Sequence, residues 1–187
     1  MKTKSLLCAL AGLGVVLSSC ATDSSIAQVE MSSSAGRDST LAGGILRGVN
    51  EYRRSNGLST LSRHTGLDRL AQQHAEYMMN NRGSFGLHGK NVTHYGFEGR
   101  VLAAQRLCNM ETIGENVIAG TQVAGDIPSA LVKGWVSSSG HRKNMTDDWS
   151  ATGIGVAVDK DGAVFATQLF GTPTITHSRW AGPSQEW

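Results

Sequence analysis

From about Asp38 onward the apolar positions recur at helical spacing. Leu41, Ile45, Val49 and Tyr52 share a face, Ser39 or Thr40 can cap the start, and Asn56-Gly57 supplies a left-handed stop. A second helix is predicted from about Thr65 to Asn81, with Leu67, Leu70, Ala71, His74, Ala75 and Met78 on one stripe and Gly83 beyond its end. His74 lies on that stripe and reads as a satisfied core histidine. Phe97 to Cys108 predicts a third helix. Asp126, with Pro128 behind it, opens a fourth that carries Ala130, Leu131, Trp135 and Val136 up to Gly140. Then the period changes: Ile154, Val156 and Val158 alternate, Asp159-Lys160-Asp161-Gly162 is turn chemistry, and Val164 to Phe170 returns as a strand. Helices ahead of a late hairpin predict an α+β fold, with helices packed on an antiparallel sheet.

Before this body the pattern is different. Lys2 and Lys4 precede an uncharged, mostly apolar run from Leu6 to Leu17, and the small residues Ser18 and Ser19 then meet Cys20. As a helix that run spans roughly 18 Å, short of a hydrocarbon core of about 30 Å, so it reads as an export leader. Leu17-Ser18-Ser19-Cys20 resembles a bacterial lipobox. The resemblance implies cleavage before Cys20, acylation of its thiol by fatty acids such as palmitate, and a mature chain held on a membrane surface. ATDSSIAQVEMSSSAG, after the cysteine, has no sustained period and reads as a flexible tether. The predicted organisation is a signal peptide over 1–19, lipidated cysteine and tether over 20–37, one domain over 38–172, and a tail over 173–187. Trp180 and Trp187 leave that tail open between disorder and docking.

Charge narrows the function classes. The 187 residues hold 17 Lys and Arg against 15 Asp and Glu, and loss of Lys2 and Lys4 with the leader leaves fifteen of each. The longest basic runs are Arg53-Arg54 and Arg142-Lys143, so no face for nucleic acid is expected. Of three cysteines only Cys108 remains once Cys8 has gone and Cys20 is acylated; it reads as a small buried hydrophobe, and the domain must rest on its core rather than on a disulfide.

HExxH, Walker and CxxC motifs are absent, and Ser137-Ser138-Ser139-Gly140 and GIGVAV fall short of nucleophile-elbow and dinucleotide-loop patterns. What remains is polar chemistry that an apolar core does not require: His88, a Gly114-Glu115-Asn116 turn, and Ser139-Gly140-His141-Arg142 at a helix end. With VNEYRRSNGL, LAQQHAEYM, LHG, FEGR, IGENV, WVSSSGHRKNM, TGIGVAV and FATQLFG, these segments resemble the CAP superfamily of cysteine-rich secretory, antigen 5 and pathogenesis-related proteins, in its disulfide-free bacterial branch. The match runs over roughly residues 40 to 171, and the order and number of the motifs make it specific.

The resemblance implies a three-layer α-β-α sandwich around a central antiparallel sheet, with a cleft lined by two histidines and acidic residues. It assigns His88 to the first histidine, Glu115 to the glutamate of IGENV and His141 to the histidine of the GHR segment. Animal and plant members carry a further glutamate three residues after the helix tryptophan, where this chain has Ser138. Two readings of His88, Glu115 and His141 stay open: ligands for Zn2+ or another divalent cation with a position left for water, or a metal-free hydrogen-bonded tie between loops. Asn116, Arg142 and Asn144 are expected to support the cleft, Arg142 by pairing with Asp147, Asp148 or another carboxylate. The expected function is an envelope-anchored, lipid-bearing module facing the periplasm or exterior, whose cleft binds a peptide, glycan or lipid. The alternative is a metal-dependent hydrolase of envelope polymers or peptides.

Overall fold

The computed structural model describes residues 40–82, 93–121, 123 and 125–174. The leader, Cys20, the tether, His88 and the tail beyond Thr174 lie outside the described residues. The elements are helix α1 (residues 40–55), strand β1 (Ser62–Arg63), helices α2 (Thr65–Asn80) and α3 (Phe97–Cys108), strand β2 (Met110–Gly120), helices α4 (Ile127–Ser137) and α5 (Ser139–Thr146), and strands β3 (Ala151–Val158) and β4 (Val164–Pro173). Among the described residues no helix is long and apolar enough to cross a membrane.

The sheet order is β1-β3-β4-β2. β2 and β3 each pair with β4 antiparallel, while β1 joins β3 in parallel through Ser62 and Arg63. Side chains alternate across the sheet, and each set meets its own helices. Ile154, Val156, Val164, Ala166 and Phe170 face α1, α4 and α5 in a core with Ile45, Val49, Leu131, Trp135 and Met145. On the other face Leu169 packs with Leu67 and Ala71 of α2 and Ala104 and Cys108 of α3, and Phe165 packs with Met78 and Val117. The expected α-β-α layering is thus present.

The glycines of the GIG segment set how close α2 lies. A Cβ at Gly153 would collide with backbone atoms of Leu67 and Asp68, and one at Gly155 with backbone atoms of Ala71 and Gln72. β1 is too short to cover β3, so α2 completes that edge with side chains. Asp68 Oδ1 accepts from Ile154 N at 2.9 Å, and Gln72 accepts from Val156 N and donates to its carbonyl, both at 2.9 Å. Open strand edges need such cover. Arg53 of α1, only 2% exposed, donates to the carbonyls of Ser59, Met145, Asp147 and Trp149, tying α1 to the α5–β3 junction.

Two sequence expectations change. Gly114-Glu115-Asn116 is not a turn but the middle of β2, in continuous register with β4 from Thr112↔Thr172 to Gly120↔Val164. As an edge strand, β2 tolerates polar residues that obscure its alternation. The fourth helix does not run to Gly140 either. It ends at Ser137, Ser138 adopts extended dihedrals (φ −95°, ψ 127°), and α5 begins anew at Ser139. His141 therefore sits in the first turn of a separate helix.

Candidate functional site

The site forms where the β2 edge meets the start of α3 on one side and the start of α5 on the other. Glu115 projects toward α2 and α3, and its carboxylate is 1% exposed. Arg100, in the first turn of α3, grips it with two hydrogen bonds, Nε to Oε2 at 2.6 Å and Nη2 to Oε1 at 2.8 Å. The remaining Arg100 nitrogen Nη1 donates to the Tyr95 carbonyl at 2.9 Å, fixing the turn ahead of the helix. In that turn His94 places Nδ1 2.8 Å from Glu115 Oε1.

Burial acts to raise the Glu115 carboxyl, but the hydrogen bonds from His94 and Arg100 and the Arg100 charge outweigh it and hold it below the usual carboxylate range. An ionised carboxylate only accepts, so His94 carries its proton on Nδ1 and leaves Nε2 for other partners. The His94 side chain is 53% exposed, which makes it the solvent-reachable end of a buried charge system.

Across the β2 edge, Asn144 of α5 donates from Nδ2 to the Glu115 carbonyl and to Asn116 Oδ1, both at 2.9 Å, and Asn116 Nδ2 donates to the His141 carbonyl at 3.2 Å. Trp149 Nε1 donates to the Asn144 carbonyl at 2.8 Å, and its ring leaves no room for a Cβ at Gly114. The expected supporting roles of Asn116 and Asn144 thus have specific partners. Arg142 does not pair with a carboxylate; its Nη1 donates to the Val136 carbonyl at 2.6 Å and closes the C-terminal end of α4.

Between these walls lies a cleft of about 580 Å³ whose lining includes His94, Glu115, Ser138, His141, Lys143 and Asn144. The structure thereby brings Glu115 and His141 together as expected. The imidazole beside them is His94, which the sequence reading did not single out. Two histidines six positions apart, ahead of the arginine of FEGR, give no spacing that tells one from the other. Ser138 lies in the lining itself, so the departure from the animal and plant pattern falls inside the cleft. His141 Nδ1 is buried without a partner. Burial, and then the neighbouring His94, push the His141 imidazole below its ordinary pKa.

The described residues do not fit a zinc site. Both Glu115 oxygens are engaged by Arg100 and His94, and among the described residues no group of three or more His, Cys, Asp and Glu is placed to hold a metal ion. His74 is a supporting residue. It is 3% exposed, its Nε2 lies 2.8 Å from the Thr93 carbonyl, and its ring stacks on Tyr77, which stacks on Tyr95. Cys108 is buried and free, and burial raises its thiol pKa, as suits a packing residue.

The cysteine-rich secretory protein (CAP) family model matches residues 46–170. The chain belongs to the CAP family. An outer surface protein of Borrelia burgdorferi is similar in fold, with 18% identity and a TM-score of 0.56 over 69% of this chain and 90% of that one. An extracellular protein of Bacillus anthracis containing an SCP domain is 26% identical with a TM-score of 0.50, over 72% of this chain and 41% of that one. A cysteine-rich secretory protein of Staphylococcus aureus gives 18% and 0.51, over 72% and 38%. The chain therefore spans less than half of the latter two proteins. No curated protein matches it.

Proposed function

We propose that this CAP protein is a bacterial lipoprotein, anchored through Cys20 to the cell envelope, whose His94-Glu115-His141 cleft binds an envelope or extracellular ligand. The lipobox-like Leu17-Ser18-Ser19-Cys20 supports the anchor. The outer surface, extracellular and secretory descriptions of the similar proteins support an outward-facing location.

The observation that favours binding over hydrolysis is the engagement of Glu115. A general base needs an accessible lone pair aimed at its substrate, and Glu115, the one carboxylate among the described residues of the lining, has a side chain only 1% exposed and already accepts three hydrogen bonds. Among the described residues the one hydroxyl in the lining, that of Ser138, makes no hydrogen bond to either imidazole, so these residues assemble no nucleophile–base pair. A walled, half-open cleft with its polar groups already fixed is the arrangement of a binding site.

The test uses the full chain in detergent, challenged with solubilised envelope components beside a His94→Ala/His141→Ala variant of matched thermal stability. One component should be retained by the parent and lost by the variant; equal retention by both overturns the binding role. For the anchor, Cys20→Ser should move the chain from the detergent phase to the aqueous phase, and unchanged partition removes that part.

A further inference from the structure

Resting on that reading, the geometry points to the kind of ligand: we infer that the cleft accepts an anionic oxygen group, a carboxylate or a phosphate, rather than a cation. Among the described residues Glu115 is the one acid in the lining, and the bidentate Arg100 guanidinium cancels its charge at 2.6 and 2.8 Å. What faces the open volume is then Lys143, exposed on α5, with the two imidazoles. Ser138, on the same wall, brings no charge. Opposite charges attract over these distances even in a half-solvated cleft, and like charges exclude a divalent cation by the same measure.

Donor chemistry agrees with the charge. Glu115 accepts from His94 Nδ1 and so holds that ring in place at the cleft, with Nε2 left for another partner. His141 lines the same cleft, and its buried Nδ1 has no hydrogen-bond partner among the described residues. The first turn of α5 lies beside both. Ser138 gives it no side-chain cap, and the positive end of that helix's dipole adds to the field set by the side chains.

The experiment is titration of the purified full chain with inorganic phosphate, succinate or zinc chloride at constant ionic strength, with chloride as the reference anion. Binding is read from the imidazole ring-proton resonances. Phosphate or succinate should shift the His94 and His141 signals saturably beyond the chloride control, and Lys143→Ala, an exposed change that leaves the fold intact, should weaken that binding about five-fold. Saturation by succinate alone identifies a carboxylate site, by phosphate alone a phosphate site, and by both the shared chemistry. Absence of a saturable anion shift, indifference to Lys143→Ala, or stoichiometric zinc uptake at the two histidines overturns the inference. If the envelope component is still retained through His94 and His141 while these anions fail, the binding role stands and only the anionic ligand is lost; if that retention fails too, both are lost.

Discussion

Arg100 and Glu115, fifteen positions apart, form a buried two-point ion pair between the first turn of α3 and the middle of β2, with Nε–Oε2 at 2.6 Å and Nη2–Oε1 at 2.8 Å. The pair fixes the carboxylate, the carboxylate fixes His94, and the backbone of the same glutamate receives Asn144.

Removal of the arginine alone leaves a buried carboxylate facing one imidazole. Arg100→Met should cost about 3–5 kcal/mol, whereas Arg100→Met/Glu115→Gln should recover part of that because no buried charge remains. Urea unfolding of the parent and the two variants checks this. A double variant no more stable than Arg100→Met would show that the cost is lost packing rather than an uncompensated charge.

Asn144→Ala deletes both Nδ2 hydrogen bonds and leaves the buried Oδ1 of Asn116 without its donor. The expected loss is about 1–3 kcal/mol, with ring-proton shifts at His141, since Asn116 also contacts its carbonyl. Asn144→Asp is the informative companion. It keeps the shape but loses the donor, and should be at least as damaging.

Glycine substitutions should have opposite signs at two positions. Gly153→Ala drives a methyl into the α2 backbone and should destabilise by about 1–3 kcal/mol or more. Gly99→Ala, in exposed α3 with nothing near its Cβ, should stabilise by about 0.5–1 kcal/mol. Thermal unfolding of both reads the contrast directly.

Acid should weaken the fold in two stages. His74 and His141 titrate below their usual 6.5 in the folded chain, chiefly because they are buried, so the unfolded chain takes up their protons first. Stability is therefore full above pH 6.5 and declines below it. Glu115, held below its usual 4.5, adds a contribution that is full above pH 4.5 and is lost as pH falls through its folded value. Urea midpoints should fall as pH drops below 6.5 and fall again below pH 4.5. His141→Gln should flatten the first stage in part, with His74 supplying the remainder; an unaltered slope would show that His141 plays no part in it.

Periodicity within one element is a local property, since burial of one face selects the residues of that face. This is why α3 has its predicted bounds of Phe97 and Cys108, α2 ends within a residue of expectation, and the Asp159–Gly162 hairpin stands where the turn chemistry put it. Family membership was legible for the same reason, because each motif is a short run in order. Placement of Gly114-Glu115-Asn116 was not, because a polar edge strand shows no alternation, and its identity comes from pairing with β4 about fifty positions later.

The sequence alone determined helices α1 to α3 and the start of α4, the hairpin, the family and two members of the cleft, Glu115 and His141. Only the tertiary structure decided that His94 stands beside that glutamate, that Arg100 consumes its charge, and that Arg142 closes a helix end instead of pairing with an acid. The reason is physical. Which side chains meet depends on the register of β2 on β4 and on the interruption of the helix at Ser138, and both are settled by packing between distant segments rather than by any local pattern.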